Sequence, residues 1–90
     1  MNPNDYIACD IGNFTLGQNV VIRKDNHIES VKCESIDKLP KMLYNISIEK
    51  NIKNLVLSGE EDFSKKIGEE IRQINIANFN KNDLEIVYLP

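Results

Sequence analysis

Tryptophan is absent from this 90-residue chain, and histidine occurs once, at His27. Cysteine occurs twice, at Cys9 and Cys33, with no C-x-x-C pair and no second histidine, so neither a zinc site nor a redox dithiol has the residues it needs. Both cysteines lie in apolar, strand-like stretches and read as small, reduced hydrophobes. No apolar run approaches the ~20 residues of a membrane helix. Met1 to Asp5 carry neither a charged leader nor an apolar signal core, and the expected location is therefore cytoplasmic. Basic residues are in deficit, 11 Lys and Arg against 14 Asp and Glu, and they are scattered. No basic stripe is available to neutralise a phosphate backbone, which sets nucleic acid aside as a partner.

What remains is the balance of a folded globular protein, 41% hydrophobic and 28% charged. A chain of this size buries only about two-thirds of its unfolded surface, which leaves material for one core and one domain spanning residues 1–90.

Tyr6 to Ile11 is a β-favouring run, and Gly12-Asn13 behind it supplies turn chemistry suited to positive φ. A loop through Phe14 to Gln18 leads to a second strand, Asn19 to Arg23. Lys24-Asp25-Asn26-His27 reads as a tight hairpin turn before a third strand, Ile28 to Cys33. Leu39, Met42, Leu43 and Ile46 then repeat at helical spacing, with Ser35 or Asp37 as candidate caps and Pro40 in the tolerant first turn. This helix is expected to end near Asn51. Leu55 to Ser58 is short and apolar, as a strand buried on both faces would be, and Gly59 turns the chain. Glu60, Glu61 and Asp62 open a second helix, where the dipole favours acids. Its stripe is Phe63, Ile67, Ile71 and Ile74, and Gly68 within it implies a close neighbour. Loop formers from Asn78 to Asp83 precede a final strand, Leu84 to Leu89.

Three strands in a meander, then helix, strand, helix and strand, define an α/β fold. With right-handed crossovers this order builds a mixed five-stranded sheet of order 3-2-1-4-5. Both crossovers run in the same lateral direction, so both helices cover one face. On the first, fourth and fifth strands both sets of alternate residues are apolar: Ile7 and Cys9 against Tyr6 and Ala8, Leu55 and Leu57 against Val56, Ile86 and Tyr88 against Val87 and Leu89. An apolar face left bare by the helices calls for a cover. The expectation is a homodimer packed sheet against sheet, with a different protein as the alternative. On this reading the chain is a non-enzymatic association or accessory subunit.

The element order and the turn Asp10-Ile11-Gly12-Asn13 resemble the ribonuclease H-like superfamily, which includes actin-like ATPases. The resemblance spans nearly the whole chain as topology and four residues as motif. It implies a cofactor-binding turn of Asp10, Gly12, Asn13 and Thr15 facing nucleotide phosphates. It also implies a Mg²⁺ or Mn²⁺ site that pairs Asp10 with Glu60, the acid following the fourth strand. Paired carboxylates of this kind can hold a divalent ion and activate water. Nucleases of the superfamily use a further acid from a helix beyond the fifth strand, and its ATPases use a second domain, so either activity would need completion by another chain. Read from the residues alone, Asp10 is a turn-stabilising carboxylate, Glu60 to Asp62 complement a helix dipole, and Gly12 to Gly17 lack the Lys-Ser/Thr of a P-loop.

Overall fold

A computed structural model describes residues 4–12, 17–80 and 82–90. In chain order the elements are β1 (Tyr6–Ile11), β2 (Gln18–Lys24), β3 (His27–Cys33), a 3₁₀ turn (Ile36–Lys38), α1 (Leu39–Lys50), β4 (Asn54–Gly59), α2 (Glu61–Ala77) and β5 (Glu85–Leu89). They form one five-stranded sheet of order β3-β2-β1-β4-β5, in which β1 pairs antiparallel with β2 and parallel with β4. The expected topology is the observed one.

The β2–β3 hairpin turns on Asp25 and Asn26, at φ 51° and 67°, the left-handed pair that matches strand twist. Asp5, which is fully buried, ties this turn to the start of β1. Its Oδ1 accepts from the Asp25 N–H at 2.9 Å, and its Oδ2 lies 3.4 Å from the Lys24 ammonium.

Ile7, Cys9, Ile11, Val20, Ile22, Leu55, Leu57 and Ile86 all point to one side of the sheet, where they bury against Leu39, Leu43, Tyr44, Ile67 and Ile71 of the helices. At about 1.5–3 kcal/mol for each large apolar side chain removed from water, this layer supplies the main driving force. The helices settle on it by slightly different stripes than periodicity suggests. In α1 the buried residues are Leu39, Pro40, Leu43, Tyr44 and Ser47, so Met42 and Ile46 sit at the margin. In α2 they are Ser64, Ile67, Gly68, Ile71 and Asn75, and Phe63 is largely exposed. Gly68 takes its place where α2 lies directly on the Tyr88 ring, and Ser47 and Asn75 take theirs in hydrogen-bonded contact with Asn82.

Neither Ser35 nor Asp37 caps α1. A 3₁₀ turn intervenes, Lys38 stands at the N-cap, and no side chain caps the start of the 3₁₀ turn or of α1. Pro40 in the first turn removes one of the orphan donors that a cap would serve. At the far end Asn51 closes α1 in the left-handed conformation, φ 53°.

A polar network joins the two helices to the approach to β5. Asn75 of α2 donates to the Asn82 carbonyl at 2.8 Å and accepts from the Asn82 N–H at 3.3 Å. The Asn82 amide reaches Ser47 Oγ at 3.2 Å and the Ile52 carbonyl at 3.3 Å. Buried amides satisfied in this way fix one arrangement of the loop.

Candidate functional site

Ligands of open α/β sheets gather at the carboxyl ends of parallel strands, where the chain switches from one side of the first strand to the other. Here that place is the boundary between β1 and β4, and Asp10 stands on it. Asp10 is exposed, points away from the helices, and is in register with Ser58, whose hydroxyl donates to Asp10 Oδ1 at 3.1 Å. Just beyond it, the Gly12 N–H donates to the buried Gln18 Oε1 at 3.0 Å, closing the base of the following loop. Asn13 and Thr15 lie outside the described residues. Gly12 itself is not at positive φ, and a Cβ there would meet nothing within 4 Å. The positive φ is found instead at Gly17 and Gly59, at 78° and 106°.

Gly59 makes the tight approach at this boundary. A Cβ on it would fall onto the main chain of Ile11, 2.8 Å from its carbonyl carbon and 3.0 Å from its nitrogen. The chain can therefore leave β4 and enter α2 beside β1 only with glycine at this position. Glu60 follows as the N-cap, outside the helix: its Oε2 accepts from the Phe63 N–H at 2.8 Å. Glu61 pairs with Lys65 at 2.8 Å, a contact that lowers the carboxyl pKa and raises that of the ammonium. With Asp62 also in the first turn, the positive end of the helix is already met by carboxylates, and a phosphate there would face repulsion.

Asp10 and Glu60 thus rise from neighbouring strand ends, but the Glu60 carboxylate is engaged with its own helix. Among the described residues no group of three or more His, Cys, Asp or Glu side chains could hold a metal ion. Among the described residues the donor set for Mg²⁺ or Mn²⁺ is short. Cys9 lies close by on the helix side of β1; burial first, then the nearby Cys33 and Asp10, push its thiol up to about 12, where it is no nucleophile. No described helix is long and apolar enough to cross a membrane.

The face of the sheet away from the helices is the other candidate. Its middle row, read across the register, is Ser30, Val21, Ala8, Val56 and Val87. Hydrogen-bonding residues flank it: Asp10, Ser58, Asn19 and Lys32 on one side, Arg23, Asn54 and Glu85 on the other, with Tyr6, Ile28 and Leu89 among them. The bare apolar face expected from alternation is therefore a single apolar row between two polar ones. The row ends at the outer edge, where Val87 is 43% and Leu89 49% exposed. A shallow hollow of about 470 Å³ lies beside this edge, lined by Gly59, Ser64, Tyr88 and Leu89 among others.

Compared with protein-family models, with curated proteins and with solved structures, the chain matches none of them.

Proposed function

We propose that this chain acts by association with other polypeptides, in the first place a second copy of itself, rather than by chemistry of its own. The observation that carries this is the uncovered row of the sheet and its exposed apolar end at Val87 and Leu89. An apolar centre with a polar margin is the composition of a contact that forms and releases, not of an obligate one. Its size points the same way. Five strands ~4.8 Å apart and three side-chain rows cover roughly 500 Å² in projection, short of the ~800 Å² per partner of a standard stable interface. The test is the light-scattering mass of the wild type over a concentration series, beside Val87→Arg. The expected result is a mass above one chain in the wild type and one chain in the variant, with unchanged circular dichroism. A single-chain mass throughout sinks the reading.

A second reading, a ribonuclease H-like domain that binds Mg²⁺ or Mn²⁺ with nucleotide, is favoured by the exposed Asp10 at the carboxyl end of β1 beside Ser58. It predicts a thermal shift that rises with Mg²⁺ or Mn²⁺, alone or with ATP, and disappears in Asp10→Ala. Equal behaviour of wild type and variant removes it.

A further inference from the structure

We infer that two copies of the chain join edge to edge through β5, antiparallel about a two-fold axis at Val87. This rests on the reading that the chain self-associates, and it supplies the geometry. β5 is an edge strand with β4 as its neighbour. The Glu85 N–H donates to the Lys53 carbonyl at 2.8 Å, with Glu85 in register with Asn54. In a parallel ladder a residue turns both its N–H and its C=O to the same side, and the side alternates along the strand. Glu85, Val87 and Leu89 are therefore spent on β4, and Ile86 and Tyr88 present their main-chain groups outward.

That phase suits self-pairing. With the axis at Val87, Ile86 stands opposite Tyr88 of the second copy, and the reverse, so that each pair exchanges both of its hydrogen bonds. Val87 stands opposite Val87 at the closer, non-hydrogen-bonded site. The side-chain pairs are favourable in kind: a β-branched residue on an aromatic on the helix side, valine on valine on the open side. Glu85 falls opposite Leu89 at the rim. The other edge is defended. β3 carries Lys32 and Glu29, the latter paired with Lys50 at 3.1 Å, and inserted charge of this kind is how sheets prevent edge pairing. β5 has no lysine or arginine.

A sheet-against-sheet dimer is the weaker alternative, because it would take Asp10, Arg23, Lys32 and Glu85 out of water, and the desolvation of charged groups offsets what their pairing returns. Edge pairing leaves these charges in water. It also joins the two apolar rows, Val21, Ala8, Val56 and Val87 of each copy, across one continuous sheet with five strands from each chain.

Amide hydrogen exchange on the unmodified protein tests this. The Val87 amide is bonded to β4 and is protected in monomer and dimer alike. The Ile86 and Tyr88 amides become protected only as the dimer fills, and lose that protection on dilution. Val87→Cys gives an independent reading. Its Cα separation of ~4.5 Å across the axis lies within the disulfide range, so oxidation yields a covalent dimer, whereas Ser30→Cys on the opposite edge does not. A dimeric mass with freely exchanging Ile86 and Tyr88 amides and no cross-link at position 87 overturns the edge geometry while leaving self-association standing. A monomeric mass at every concentration overturns both.

Discussion

Gly68 and Tyr88 offer the sharpest check on how α2 meets β5. A Cβ on Gly68 would overlap the Tyr88 hydroxyl and lie 2.7 Å from Cζ and 2.9 Å from Cε1, all of them side-chain atoms. Gly68→Ala therefore combines two effects of opposite sign. In the middle of α2 alanine gains ~1 kcal/mol of helix propensity over glycine. Against this, forcing a methyl into the tyrosine ring costs about 1–3 kcal/mol of overpacking. The net is a loss of up to ~2 kcal/mol in the wild-type background. Removing the ring by Tyr88→Ala removes the second effect only, so that adding Gly68→Ala should then stabilise by ~1 kcal/mol. The assay is urea unfolding at one fixed protein concentration, where an m value of ~1 kcal/mol per molar, usual at this size, turns these differences into midpoint shifts of about 1 M. A reversal of sign between backgrounds is the expected outcome. Equal destabilisation in both would show that the glycine serves something other than contact with Tyr88.

Gly59→Ala should cost more than Gly68→Ala, about 3 kcal/mol or above, because its new methyl meets the Ile11 main chain at a φ of 106° and no side chain can move aside; a midpoint within error of wild type contradicts this. Asn75→Ala strips partners from the buried N–H and C=O of Asn82, at ~1–3 kcal/mol each, and should lower stability by about 2–6 kcal/mol, whereas Arg72→Ala on the exposed side of the same helix should lie within ~0.5 kcal/mol. Cys9 should resist alkylation in the folded protein at neutral pH and react at the rate set by opening, measured as labelling against urea. Its pH effect has a defined direction. Burial raises the folded thiol to about 12, so its contribution to stability is complete below the ~8.5 of an unfolded thiol and is lost as pH climbs from there. Cys9→Ala should flatten that part of the pH profile.

The topology was legible because its signals are local and redundant: alternating runs for β1 and β5, a two-residue turn at Asp25-Asn26, and helical spacing from Leu39 and Ile67. The helix faces were less so. Burial of Asn75 and Ser47 is decided by Asn82 from a distant loop, and a hydrophobicity pattern ranks such residues as surface. Their spacing was present, since Ser64, Ile67, Gly68, Ile71 and Asn75 follow one helical stripe once small and amide residues are counted with the apolar ones. At the candidate site the Asp10 position was readable from the strand end. The capping role of Glu60 was not, because it depends on the exit angle that Gly59 permits. The uncovered face followed from crossover direction, but its polar rows emerged only from the register that places Arg23, Asn54 and Asn19 beside the valines.

The most direct test of the central claim is the mass of the unmodified protein in solution, followed by light scattering or sedimentation as concentration rises. Association through this sheet predicts a rise from one chain of 10.3 kDa to two, abolished by Val87→Arg without change in secondary structure. A mass that stays at one chain up to millimolar concentration would contradict it.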